Sequence, residues 1–300
     1  MRLLWLLTWL ALVASANSFT FGPANSPLLK KRKSVRPKCG PKFAARGSSN
    51  YDKRSVGFIR FERNVSTANL GKRMNLPGTD MGDFYFHEFP RLTERIVPHD
   101  TAPVAEDMTT GIMRTFSSIR VPQQYSTGAE GLEGCTVLYI ISRKAVYGVH
   151  WFENVSFDPD PEWLEGTNEH ELFQTTVIDT LIHGGRYLPK LNARRIDDEY
   201  IHAYMIRPNE THDELPGYVD EWRRIEATVG DIIPRLKEKK RWHYFDYNAS
   251  QPMNPQNERE TAGRNLFKYD SAHPIGGGQT QKLAKLWMEG NPKANHSDIW

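Results

Sequence analysis

Cys135 and His150 are the residues of this 300-residue sequence whose side chains could act together on a substrate. Both lie in the run GLEGCTVLYIISRKAVYGVHWFENVSF, residues 131–157, which reads as two apolar strands joined at a polar turn. A thiol close to an imidazole can exist as thiolate and imidazolium, and the thiolate is a nucleophile. The structural alternative is that both are ordinary core residues, because free cysteine and strand histidines are commonly buried without a catalytic role.

The register of the predicted hairpin determines whether these two side chains can meet. A two-residue turn at 143–144 pairs Val137 with His150. The same register pairs Cys135 with Phe152. Because side chains alternate with period two, Cys135 and His150 then share one face, with Cα atoms roughly 7–8 Å apart. A four-residue turn keeps this arrangement, whereas a three-residue turn puts the two residues on opposite faces.

The residues just before the thiol affect its reactivity. Gly134 lets the chain bend, so that the backbone N–H groups of Gly134 and Cys135 could form an oxyanion hole. Glu133 carries a negative charge that opposes thiolate formation.

These residues resemble the Cys–His glutamine deamidase superfamily, which includes the catalytic domain of the cytotoxic necrotizing factor toxins and the chemoreceptor deamidases. Members carry a Leu-Ser-Gly-Cys motif with a histidine a little over a dozen residues downstream. Here Leu132, Gly134 and Cys135 match the motif and His150 follows fifteen residues later, while Glu133 replaces the family serine.

The resemblance implies a fold and a chemistry. The fold is a β-sandwich-like α/β domain with helices outside. The chemistry is deamidation or transglutamination of protein glutamine side chains through a thioester, with no cofactor and no metal. The third catalytic group of the family is a threonine shortly before the motif or a main-chain carbonyl, and the nearest candidate before the motif here is Thr127. The chain also resembles secreted proteins of filamentous fungi that carry GC-T and AVY…H elements.

Two other functions stay open. The chain could be a secreted effector or interaction protein that keeps the fold without turnover, or a thiol hydrolase of another specificity. The expected partner is a protein substrate or a host protein, with no nucleic acid and no stable membrane insertion. The oligomeric state is left open.

Patterns elsewhere in the chain predict the elements that must position the pair. A helix is expected around 167–183, capped at Thr167 or Asn168 and stopped by Gly184. A second helix is expected from about 217, broken near Pro234. Strands are expected in EYIHAYMIRP, RWHYFDYNA, NLFKYD and QKLAKLWMEG, and PIGGGQT is interpreted as a flexible loop because it lacks the Lys-Ser/Thr of a phosphate-binding loop. The fold class is therefore α/β (α+β), with a mixed β-sandwich-like core, a central apolar hairpin and flanking helices.

The N-terminal region predicts export and processing. Residues 1–16 read as a signal peptide, with an apolar run too short to span a bilayer and a small-residue cleavage site. Residues 17–54 are a basic segment interpreted as a propeptide or a disordered segment, with candidate cuts at 31–32 and 53–54. Residues 55–110 look irregular, and residues 111–300 form the single α/β domain.

The charge distribution argues against a nucleic-acid partner. Residues 1–54 hold eleven Lys and Arg and one acid, so removing them from totals of 39 and 36 leaves 28 basic and 35 acidic residues. The body of the protein is therefore acidic, which is unlike a nucleic-acid-binding surface.

Cys39 and Cys135 leave two possibilities open. They can form a disulfide with each other, as an even count outside the cytosol favours. Alternatively, a cut after Arg54 would remove Cys39 and leave Cys135 as an unpaired, reactive thiol. Five glycosylation sequons agree with secretion: Asn64, Asn154, Asn209, Asn248 and Asn295.

Overall fold

The computed structural model describes residues 38–40, 74, 80–96, 104–209, 217–249 and 259–300. The signal peptide, the candidate cuts at 31–32 and 53–54, and Asn64 lie outside these ranges. None of the helices in the described ranges combines the length and apolar composition that crossing a bilayer requires.

Nine strands in the described ranges form two sheets. The five-stranded sheet has the order β1-β4-β3-β5-β6, in which β5 and β6 are parallel and the other neighbours antiparallel. The four-stranded sheet has the order β2-β7-β8-β9 and is antiparallel. The strands are β1 Thr110–Thr115, β2 Gln124–Ala129, β3 Thr136–Ile141, β4 Ala145–Trp151, β5 His202–Pro208, β6 Trp242–Tyr247, β7 Asn265–Gly276, β8 Gln279–Met288 and β9 His296–Ile299.

Helices cover the outer face of each sheet. The α-helices are α1 Met81–Glu88, α2 Glu169–Phe173, α3 Thr180–His183, α4 Ala193–Ile196 and α5 Val219–Ile232. Two π-helical segments occur, Glu153–Phe157 directly after β4 and Gln174–Asp179 between α2 and α3. Short 3₁₀ turns lie at Phe89–Arg91, Ala105–Met108, Phe116–Ser118, Pro161–Leu164, Pro234–Lys237 and Lys239–Arg241.

Alternating side chains of the hairpin feed two separate cores. Val137 and Tyr139 of β3 point between the sheets, where they join Phe267 and Leu286 of the four-stranded sheet. Leu138 and its neighbours on the opposite face pack beneath the helices, in a second apolar core that includes Val177 and Ile225. The two sheets thus stack face to face with helices outside, so the predicted α+β, sandwich-like fold class is confirmed.

The predicted hairpin register is confirmed. Val137 pairs with His150 and Thr136 with Trp151. The Ser142 N–H donates to the Ala145 carbonyl at 3.0 Å across the two-residue turn. The alternation of side chains in this register therefore correctly predicted that Cys135 and His150 lie on one face of the hairpin.

The predicted helices also form, with local differences. Asn168 caps α2 by accepting from the Glu171 N–H, and Gly184 ends α3 with a φ of 82°. The middle of this helix is a π segment, which the sequence pattern did not predict. The helix α5 ends before Pro234, as expected.

Two sequence-based expectations need correction. The region thought irregular contains α1, where Asp80 caps the Asp83 N–H and Phe84 packs with Trp287. Tertiary packing thus stabilises a short helix that has little amphipathic pattern of its own. PIGGGQT is also more ordered than a loop, because Gly276 pairs with Gln279 in a tight hairpin turn.

Candidate Cys–His site

Cys135 is joined to Cys39 by a disulfide, with the two Cα atoms 5.4 Å apart. The sequence left open whether Cys135 is bonded to Cys39 or is an unpaired thiol, and in the structure the two residues are bonded. Cutting the chain after Arg54 would break a peptide bond and leave this disulfide intact. The expectation that such a cut by itself frees the Cys135 thiol is therefore wrong for the bonded chain.

The loop that precedes β3 positions Cys135 between the sheets. Residues 130–135 cross from β2 of one sheet to β3 of the other. The Leu132 N–H donates to the Gly263 carbonyl at 3.2 Å, which fixes the middle of the crossing. Gly134 adopts a φ of 144°, as its predicted bend requires. Cys135 is fully buried at the end of this loop.

His150 lies beside the disulfide in the same core. A ring nitrogen of His150 and the two sulfur atoms all lie within 4.8 Å of one another. The ring is 2% exposed, and it packs edge-on against Phe152 with centroids 4.9 Å apart. Burial lowers the pKa of His150 to about 4, so the imidazole is neutral at pH 7.

The Nδ1 atom of His150 has no hydrogen-bond partner among the described residues. A catalytic imidazole is usually oriented by a hydrogen bond to its second nitrogen. The structure therefore brings the disulfide sulfurs and the imidazole together, and no described residue forms a hydrogen bond to Nδ1 that would orient the ring.

Thr127 shows no hydrogen bond to Cys135 or His150 among the described residues. It lies in β2 of the opposite sheet, paired with Phe267. Its hydroxyl is buried and has no hydrogen-bond partner among the described residues.

Tyr247 accepts a hydrogen bond from one of the two backbone amides that were predicted to stabilise an oxyanion. Its hydroxyl accepts from the Gly134 N–H at 2.8 Å and donates to the Cys135 carbonyl at 2.7 Å. The Gly134 N–H is therefore already hydrogen-bonded within the protein and does not point at a substrate oxyanion in this structure. The other predicted donor is the Cys135 amide itself.

A short segment, Lys38–Gly40, covers the site, and we call it the cap. The Cys39 N–H donates to Glu153 Oε2 at 3.0 Å, and the Cys39 carbonyl accepts from the Asn154 N–H at 3.1 Å. Lys38 Nζ lies 3.0 Å from Asp158 Oδ2 and also donates to the Asp158 carbonyl at 2.8 Å. The cap is therefore held by backbone and ionic contacts in addition to the disulfide.

The turn that receives the cap follows directly from the strand that carries His150. Its π segment buries Glu153 completely, and Glu153 Oε1 accepts from the Tyr218 hydroxyl at 2.9 Å. Sequence reasoning missed these contacts. The opposite charges of the DPDP segment and of the basic segment around Lys38 could have suggested an ion pair, but nothing in the sequence indicated that these two segments meet.

The sequon asparagines differ in exposure. Asn209, Asn248 and Asn295 are exposed. Asn154 is 3% exposed and its side-chain amide donates to Asp160 Oδ2 at 2.8 Å, so a glycan there would have to break this contact. Asn154 is thus poorly suited to be an acceptor in the folded chain.

Comparison with solved structures finds similarity over part of the chain. No family model and no curated protein matches the sequence. The C-terminal domain of CNFy from Yersinia pseudotuberculosis is similar over 63% of this chain and 58% of that chain, with 11% identity and a TM-score of 0.27. The alignment thus spans less than two thirds of that domain. The comparisons give no support to the resemblance to fungal secreted proteins.

Proposed function

We propose that this chain carries a latent Cys–His acyl-transfer site that acts on glutamine side chains of proteins, with Cys135 as nucleophile and His150 as general acid and base. The observation that carries the proposal is the distance of at most 4.8 Å between the Cys135 sulfur and a ring nitrogen of His150, on one face of the hairpin. The motif resemblance around Leu132, Gly134 and Cys135 supports the glutamine specificity.

The first half of the reaction would form a thioester. Reduction of the disulfide by an external dithiol supplies two electrons and two protons and gives two thiols. Neutral His150 accepts the Cys135 proton, and the thiolate sulfur bonds to the side-chain amide carbon of glutamine. The Cys135 N–H would stabilise the oxyanion. As the C–N bond breaks, His150 returns the proton to the leaving nitrogen and ammonia departs.

The second half would release the product. His150 removes a proton from water, whose oxygen attacks the thioester carbon, and the C–S bond breaks to give glutamate and the Cys135 thiol. A primary amine that attacks in place of water would give transglutamination. No step requires a cofactor.

The disulfide also supports a location outside the cytosol, because such bonds persist in oxidising compartments. We propose that the protein is secreted and stays latent there until Cys39 is detached from Cys135.

Cys39→Ser is the variant that tests this function, because it leaves Cys135 as a free thiol without any reductant. Purified Cys39→Ser protein should release ammonia from glutamine-containing proteins, and mass spectrometry should find the new glutamate. The matched controls are Cys39→Ser combined with Cys135→Ala and with His150→Ala, which should be inactive. Equal signals from all three proteins would reject the proposal.

A second candidate function is a non-catalytic secreted effector or interaction protein that retains the fold. The observation in its favour is the complete burial of Cys135 within an intact disulfide. In that case the Cys39→Ser protein would lose stability and gain no activity.

A further inference from the structure

The cap lies against the turn after β4 as a short bound peptide would, with a bend at Cys39 and Gly40. Its central residue, Cys39, forms one hydrogen bond through its N–H, to Glu153, and one through its carbonyl, to Asn154. Both are hydrogen bonds to main-chain atoms, so they can form with a peptide whatever its side chain at this position. The Cys39 side chain points at Cys135, to which its sulfur is bonded.

An acidic notch receives the residue before Cys39. Lys38 Nζ lies 3.0 Å from a carboxylate oxygen of Asp158 and 3.4 Å from one of Asp160. The Asp158 side chain is 13% exposed, so this pair is partly shielded from water. The notch is also fixed in shape, because the Asp160 N–H donates to the Asn154 carbonyl at 2.9 Å.

The residue after Cys39 has no room for a side chain. A Cβ atom added to Gly40 would lie 1.6 Å from Asn154 Oδ1. Gly40 also has a φ of 150°, which residues other than glycine rarely adopt. The position therefore accepts glycine and disfavours larger residues.

We infer that the cap mimics the substrate, and that the site prefers a glutamine preceded by lysine or arginine and followed by glycine. The inference rests on the proposed function. The Cys39 sulfur, bonded to the Cys135 sulfur, stands in for the amide carbon of the glutamine. A glutamine reaches that carbon through one more bond than cysteine reaches its sulfur, so its longer side chain must bend for the backbone to keep the same two hydrogen bonds.

The same arrangement makes the cap a competitor of its own substrates. Breaking the disulfide leaves the backbone hydrogen bonds and the Lys38 ion pairs in place. Full activity therefore requires that the cap also leaves the notch. Lys38→Ala combined with Cys39→Ser weakens both attachments in the full-length chain.

The test compares three peptides on this double variant: one with Lys-Gln-Gly, one with Glu-Gln-Gly and one with Lys-Gln-Val. We expect ammonia release from the first with a kcat/KM about tenfold or more above each of the others. Asp158→Asn together with Asp160→Asn, which keep the shape of the notch, should abolish the advantage of lysine over glutamate. Equal rates for the three peptides would overturn the inference while leaving the proposed function standing.

A second readout is independent of turnover. A peptide containing Lys-Cys-Gly, activated as a thiopyridyl disulfide, reacts with the Cys135 thiol to form a mixed disulfide and releases thiopyridone. It should react about tenfold faster than the corresponding Glu-Cys-Gly peptide, and the two Asp→Asn changes should remove the difference. Selective capture without ammonia release would support the peptide site and reject the deamidase function. Equal capture rates would overturn the peptide site.

Discussion

Loss of the disulfide should cost a large part of the stability of the chain. The bond joins residues that are 96 positions apart, so it strongly restricts the unfolded ensemble. For a loop of about 100 residues the chain-entropy estimate is about 4.7 kcal/mol at 25 °C. The free energy of unfolding of a single domain is about 5–15 kcal/mol in total, so Cys39→Ser should shift the unfolding transition to a much lower urea concentration.

Urea unfolding followed by tryptophan fluorescence measures this effect. The oxidised wild type, the wild type with a reductant, and Cys39→Ser should be compared under one set of conditions. The last two should coincide, and both should show a steeper dependence on urea than the oxidised protein, because the unlinked chain exposes more surface on unfolding. Midpoints and slopes that agree for all three would refute the reasoning, since the disulfide would then contribute nothing.

Three further predictions concern residues around the pair. The unfolding free energy should fall between pH 7 and pH 4, and His150 should contribute about 3 kcal/mol of the fall, because its folded-state pKa of about 4 lies below the usual 6.5 and the unfolded chain therefore binds the proton more tightly. His296 has the same lowered pKa and adds to the fall. His150→Gln should therefore reduce the fall by about 3 kcal/mol in urea titrations at each pH, with the His296 part remaining. Gly40→Ala should speed reduction of the disulfide by dithiothreitol about tenfold, since the added Cβ clashes with Asn154; an unchanged rate would show that the cap does not depend on this contact. Tyr247→Phe should cost about 1–3 kcal/mol of unfolding free energy, because the Gly134 N–H and a neighbouring carbonyl lose their buried partner; a loss within error would mean that water replaces the hydroxyl.

The hairpin shows what the sequence could predict. The polar pair at 143–144 was enough to set the pairing of Val137 with His150, because the length of a hairpin turn fixes the register of its two strands. The main helices were predictable for a similar reason, since capping residues and apolar spacing are local signals.

The cap shows what the sequence could not predict. Cys39 meets Cys135 only after a crossing between two sheets and a turn at the end of β4 have formed. The π segment at Glu153–Phe157, which provides that turn, has no recognised sequence pattern. The helix α1 was missed because its stability comes from packing on the four-stranded sheet, and its sequence has no clear helical spacing of apolar residues.

Covalent trapping shows whether the Cys135 sulfur acts as the nucleophile. The Cys39→Ser protein is mixed with a glutamine peptide, quenched in acid within the first turnover, and digested for peptide mapping by mass spectrometry. We expect an acyl adduct on Cys135, and no adduct when His150→Ala or Cys135→Ala is added. An absence of adduct in the Cys39→Ser protein, or an equal yield with His150→Ala, would contradict this expectation.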